Sequence, residues 1–217
     1  FKMMHGKSSL HGEAIQRLRQ RMEQRDFVTG DGVLTEDPIF DAYVDYVTDN
    51  ITLGDRRLKV VVDGGNGTGG PAAVALLERL GVETVPLFIE MDGRFPNHHP
   101  DPTVAENLQD LIASVRAEGA DLGVAYDGDA DRIGVVDDEG EIIWGDRLMI
   151  LLSRSILKDN PGAAIVSEVK CSRTLFDDIA AHGGRPIMSQ VGHSIIKERM
   201  VNEGALLGGE MSGHIFF

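Results

Sequence analysis

Cysteine is almost missing from this 217-residue chain: Cys171 is the single one, so no intrachain disulfide can form. That fits a reducing compartment, and a cytoplasmic location is expected. Aromatic residues are scarce at 6%, which leaves Val, Ile, Leu and Ala to build the cores. No apolar run reaches the length of a membrane span, and no secretory leader is visible. Positive charge is short: 21 Lys and Arg stand against 35 Asp and Glu, a net charge of −14. Such a field repels nucleic acid, heparin and anionic membranes as general partners. A small anionic ligand stays admissible, because it answers to local Lys, Arg and metal charge. Low-complexity segments are absent as well.

What is present alternates between strand and helix signals. A helix is expected over residues 12–25, with Ile15, Leu18 and Met22 on one face. Residues 27–36 are rich in Gly and Asp, lack periodicity and suit a linker. A second helix should start at Asp37-Pro38, with Asp as cap and Pro in the first turn, presenting Ile39, Tyr43, Val44 and Val47. Strands follow at 58–62, 82–88, 122–125 and 133–136, with helices at 71–80 and 103–118. The alternation then resumes with helices at 146–158, 172–182 and 193–202 and strands at 164–169, 185–191 and 205–207. Two successive α/β units result, with a boundary near residues 140–146. Alternation of this kind gives mixed, largely parallel sheets covered by helices.

The stretch Tyr126-Asp127-Gly128-Asp129-Ala130-Asp131-Arg132 concentrates the chemistry. Apolar strands enter and leave it, and three carboxylates occupy alternate positions, which turns them to one side of the chain. Clustered carboxylates repel unless a cation sits among them, and a hard divalent ion, Mg²⁺ or Ca²⁺, suits an all-oxygen donor set. The competing reading is a solvated acidic turn, which leaves the flanking apolar strands unexplained. An EF-hand is rejected, because Arg132 and Asp138 stand where that loop requires Gly and Glu.

Four other loops matter. Gly65-Asn66-Gly67-Thr68-Gly69-Gly70 satisfies G-x-G-x-x-G between a strand and a helix, with Glu90 at the end of the next strand. That pattern permits a dinucleotide site and hence a dinucleotide-dependent oxidoreductase. It equally permits a tight turn, and Pro71 removes one amide donor from the helix start. Ser167-Glu168-Val169-Lys170-Cys171-Ser172 joins a strand to a helix. Lys170 there can hold a phosphate or a sugar hydroxyl, or stand as a solvated lysine, and Cys171 suits packing better than nucleophilic chemistry. Gly192-His193-Ser194 opens a helix. Gly209-Glu210-Met211-Ser212-Gly213-His214 supplies an acceptor, a hydroxyl and a titratable base, which suits a polyol ligand. A polar turn is the bland alternative, and the spacing is too local for a hydrolase triad. Adjacent His98 and His99 would point apart, so Asn97-His98-His99-Pro100 is expected to anchor a loop and not to bind metal.

Taken together, these motifs resemble the α-D-phosphohexomutase family, the phosphoglucomutase/phosphomannomutase group. The acidic stretch 127–132 is similar to the family's magnesium loop and residues 209–214 to its sugar-binding loop. Residues 62–69 and 95–102, Gly192-His193-Ser194 and Val169-Lys170-Cys171 resemble further family segments. The resemblance implies a remnant of domain 1 over 1–36, domain 2 over 37–141, and a C-terminally truncated domain 3 over 142–217. The catalytic serine loop is expected upstream of Phe1 and a phosphate-gripping fourth domain beyond Phe217. The implied reaction interconverts hexose 1-phosphate and hexose 6-phosphate, of mannose and/or glucose, through a phosphoserine and a 1,6-bisphosphate. The implied cofactor is Mg²⁺ on Asp127, Asp129 and Asp131. Arg132 would lie by the transferring end, Lys2 and His214 would move protons, and Lys170, His193, Glu210 and Ser212 would contact the sugar phosphate. Met211 leans toward the phosphomannomutase/phosphoglucomutase branch. The expected partner is a hexose phosphate, with no nucleic acid and no membrane, in a monomer or weak oligomer. The chain by itself is expected to be inactive.

Overall fold

Two sheets, each covered by helices, dominate the computed structural model, which describes residues 3–6 and 8–217. Residues 1–38 and 39–217 form separate compact units. In the first, β1 (Met4–His5) pairs antiparallel with β2 (Ser8–Ser9). Helix α1 (Glu13–Glu23) follows, and none of its residues is fully buried. Ile15 and Leu18 are half-buried, as the spacing predicts, but Met22, expected on the same face, is exposed because no described residue covers the last turn of the helix. Residues 26–39 carry no regular structure, in keeping with a linker.

The second unit opens with α2 (Phe40–Asp49), later than the Asp37-Pro38 signal. Ile39 already has helical dihedrals and no side chain caps the helix, so Asp37 is not its cap. Only Val44 of its expected apolar face is buried, while Ile39 and Tyr43 are exposed.

The first sheet contains β3 (Lys59–Asp63), β4 (Glu83–Leu87), β5 (Leu122–Tyr126), β6 (Ile133–Asp137) and β7 (Ile142–Ile143) in the order β4-β3-β5-β6-β7. The β4–β3 and β3–β5 pairs are parallel, whereas β5–β6 and β6–β7 are antiparallel. Helices α3 (Gly70–Arg79) and α4 (Gln109–Glu118) complete this layer. Alternate residues of the continuous apolar runs serve opposite cores. Val61, Ala125 and Val136 join Leu111 and Val115 of α4, whereas Val60, Val62 and Val124 join Ala73 of α3. Truncation of the fully buried Leu111 to Ala should cost about 3 kcal/mol, seen as a lower urea midpoint at unchanged slope.

The helix expected as one piece over 103–118 is divided. A 3₁₀ turn, Ala105–Leu108, precedes α4. Asp101 Oδ1 accepts the Thr103 N–H at 3.0 Å and its hydroxyl at 2.7 Å, and this local turn takes the place of helical bonding.

The second sheet holds β8 (Ala164–Glu168), β9 (Arg185–Ser189), β10 (Leu207–Gly209) and β11 (Ile215–Phe216) in the order β11-β10-β8-β9. The pairs of β8 with β9 and with β10 are parallel, and β10–β11 is antiparallel. Helices α5 (Gly145–Asp159) and α6 (Arg173–Ala181) share one core with Ile165 and Leu207, and α7 (His193–Glu203) shares the other with Val166 and Ile187. This is the α/β class read from the alternation. No helix among the described residues is long and apolar enough to cross a membrane.

Candidate active site

Loops at the carboxyl ends of the parallel strands gather the polar residues, where open α/β sheets place ligands. Residues 127–132 link β5 to β6, whose register closes at Tyr126 opposite Ile133. Asp127 is buried, and its Oδ1 accepts the Arg132 backbone N–H at 3.0 Å. Its Oδ2 accepts Arg132 Nε–H at 2.6 Å, and Arg132 Nη1 donates to Asp101 Oδ1 at 3.0 Å. Burial alone would lower the Arg132 pKa, but Asp127 and Asp101 outweigh it and the guanidinium stays charged. One carboxylate oxygen from each of Asp127, Asp129 and Asp131 lies within 4.8 Å of the others. Asp129 is exposed and has no hydrogen-bonding partner among the described residues. An all-carboxylate set converging in this way fits a hard divalent cation.

The glycine loop 64–70 supports the acidic loop. Thr68 N–H donates to Gly128 O at 3.1 Å. A Cβ on Gly67 would stand 2.8 Å from Gly128 O, and one on Gly69 would stand 2.4 Å from Ala130 Cβ. The glycines therefore admit the chain's own backbone. The Gly67 amide is also spent, on Gly64 O at 2.8 Å. The dinucleotide reading of G-x-G-x-x-G loses its physical basis, since the face that a pyrophosphate would approach is filled.

The loop 209–214 meets the acidic loop directly. Gly213 O accepts the Ile133 N–H at 3.2 Å. His214 bridges the two: Nδ1 lies 2.7 Å from Glu210 Oε2 and 3.0 Å from Ser212 Oγ, and Nε2 lies 3.0 Å from Asp131 Oδ1. Burial alone would lower the His214 pKa, but the Glu210 and Asp131 carboxylates outweigh it and raise the value. Burial pushes the Glu210 carboxyl up, and the bonds from His214 and the Gly192 N–H, the latter 2.7 Å from Oε1, more than reverse that.

Comparison with known proteins is decisive at this point. The model of the family "Phosphoglucomutase/phosphomannomutase, alpha/beta/alpha domain II" matches residues 41–140, and that of domain III matches residues 144–217. The chain belongs to the phosphoglucomutase/phosphomannomutase family. It is 51% identical to a phosphomannomutase/phosphoglucomutase of Pseudomonas syringae, with all of this chain and 46% of that protein covered. It is 49% identical to a phosphoglucomutase of Neisseria gonorrhoeae, over all of this chain and 47% of that protein. A solved phosphoglucomutase/phosphomannomutase family protein of Burkholderia thailandensis superposes with a TM-score of 0.92 at 47% identity, over 97% of this chain and 46% of that one. The chain thus spans about half the length of the curated relatives it matches.

Within this chain, bonds link Arg132 to Asp127 and His214 to Glu210, Ser212 and Asp131, and the exposed Asp129 carboxylate converges on the same place. His193 joins at its edge, with its ring centroid 5.5 Å from that of His214. Lys170 is half exposed, and its Nζ lies 3.6 Å from Glu168 Oε1. Lys2 falls outside the described residues. Cys171 packs in the core, and burial with nearby Glu168 and Asp146 raises its pKa to about 12, so the thiol is inert.

The sequence reading overlooked two residues of this site. Asp101 steers Arg132, and Glu168, fully buried, accepts the Met211 N–H at 2.8 Å and fixes the loop 209–214. A charge at the inner end of the apolar run 164–166 was the available signal for Glu168. For Asp101 there was only its place in a Pro- and His-rich loop.

Proposed function

We propose that this chain supplies the metal-binding and sugar-reading parts of a phosphohexomutase that interconverts hexose 1-phosphate and hexose 6-phosphate. The observation that carries the reading is His214, which ties Glu210 of one loop to Asp131 of the other. A proton-transfer group so placed stands between the hydroxyl readers and the site of charge neutralisation. Residues 37–141 are assigned as the metal-bearing domain and 142–217 as the sugar-reading domain, after a remnant over 1–36. A cytoplasmic setting is part of the proposal, supported by the lone cysteine.

Asp127, Asp129 and Asp131 would hold Mg²⁺, which when bound neutralises charge on a transferring phosphoryl group. Arg132, oriented by Asp127 and Asp101, presents its remaining N–H groups to the same phosphoryl oxygens. Glu210 fixes the His214 ring through Nδ1, and Nε2, turned toward Asp131 on the metal side, is the nitrogen that would exchange a proton with the reacting sugar hydroxyl in place of that contact. The carboxylates facing its two nitrogens raise the His214 pKa, which favours its acting first as acid and then as base. Glu210 and Ser212 accept hydroxyl protons, and Lys170 and His193 meet the phosphate.

The test uses protein of the relatives' length containing this chain, assayed with mannose 1-phosphate and glucose 1-phosphate. Conversion of at least one to its 6-phosphate should be abolished by EDTA and restored by Mg²⁺. His214→Asn should lower kcat by about 100-fold or more. Failure to convert either sugar, or indifference to EDTA, would defeat the proposal.

A further inference from the structure

Asp63, fully buried, and His98, half-buried, are ionisable, lie outside the network above, and have no part in the proton transfer. Asp63 ends β3 and is fully buried. Its Oδ1 accepts the Gly65 N–H at 2.8 Å, and its Oδ2 faces His98 Nε2 at 3.0 Å. The other ring nitrogen, Nδ1, faces His99 O at 3.0 Å. A carbonyl oxygen can only accept, so Nδ1–H is the donor in that contact, and Nε2 is left facing the carboxyl of Asp63. Burial pushes the Asp63 carboxyl up against the opposing pull of Gly65 and His98.

The pair joins the two segments that flank the acidic loop. One is the glycine loop, whose Thr68 holds Gly128 O. The other is the loop 92–102. Phe95 and Pro100 approach a Cβ position on Gly128 to 3.5 Å, and Asp101 holds Arg132. A second link lies beside the first, from Asn97 Nδ2 to Asn66 Oδ1 at 2.7 Å.

We propose that Asp63 and His98 are positioning residues: their contact clasps the two supports together and thereby sets the cation affinity of the Asp127–Asp129–Asp131 loop. The inference rests on the metal reading of that loop. Three repelling carboxylates must be held converged before the ion arrives. A looser cradle spends binding energy on that convergence, and supporting groups behind metal ligands are commonly worth about 10–100-fold in affinity.

The test titrates the 217-residue chain with Mn²⁺ alone, read by its paramagnetic resonance signal. Asp63→Asn keeps the clasp, since its amide can donate to His98 Nε2, and affinity should stay within about 2-fold of the unaltered chain. The double variant Asp63→Asn/His98→Phe removes both charges together and keeps ring volume, so no lone buried carboxylate remains. Its affinity should fall by about 10-fold, while the metal-free melting temperature drops by only the few degrees that an unpaired buried amide costs. A folded double variant with unaltered affinity overturns the inference. By reciprocity, saturating Mg²⁺ should slow hydrogen exchange at the Gly65 amide of the unaltered chain, and this readout decides the matter if the double variant does not fold. Unchanged exchange there counts against the clasp. If the unaltered chain itself takes up no Mn²⁺, the metal reading falls and this inference falls with it. If it binds and the double variant binds equally, only the clasp is lost.

Discussion

Asp129→Asn should abolish saturable divalent-cation binding, weakening it by about 100-fold or more, while the fold is untouched. Asp129 is exposed and has no hydrogen-bonding partner among the described residues. Asparagine therefore removes one ligand charge without orphaning a neighbour. The same change at Asp127 would also release Arg132, and at Asp131 would disturb His214. The sign of the stability change separates cation site from acidic turn. Without metal, loss of one of three repelling charges should leave the melting temperature equal or slightly higher. With Mg²⁺, the unaltered chain should gain stability by mass action and the variant should not. Scanning calorimetry with and without Mg²⁺ checks both. An equal rise in the two proteins would mean that these carboxylates are not the ligands.

Gly213→Ala should be the most damaging single-methyl change, at a cost of about 3 kcal/mol. Gly213 has φ +92, a conformation that opposes any side chain, and a Cβ there would stand 2.3 Å from Ile133 O. Backbone cannot yield as a flexible side chain can, so the loop 209–214 must move off β6. That displacement would carry His214 away from Asp131. A fall in melting temperature of about 6–12 °C is expected. Cation affinity should survive better than in Asp129→Asn, because the three carboxylates remain in place. Gly30 offers the control: nothing lies within 4 Å of its Cβ position, and Ala there should be silent.

Local pattern made much of this legible. Strands β3 and β8 showed as unbroken apolar runs because helices cover both faces of their sheets. The acidic loop showed because alternate spacing within a few residues constrains where its side chains point. Asn97 and His98 anchor their loop as expected. The start of α2 misled, because Asp37-Pro38 is a sound capping signal that the chain leaves unused. The break before α4 was hidden, because Asp101 competes for Thr103 through a side-chain bond that hydrophobic periodicity cannot register.

By itself the sequence determined the α/β class, most of its strands and helices, and the clustering of three carboxylates in one short loop. Each depends on neighbours within a turn or two, where covalent geometry limits the choices. Tertiary structure alone decided which loops meet. His214 reaches Asp131 across 83 positions, Asp101 reaches Arg132 across 31, and the glycine loop takes the acidic loop's backbone in place of a phosphate. Such contacts depend on sheet order and strand register, which bring the carboxyl ends of distant strands to one edge and which local spacing does not encode.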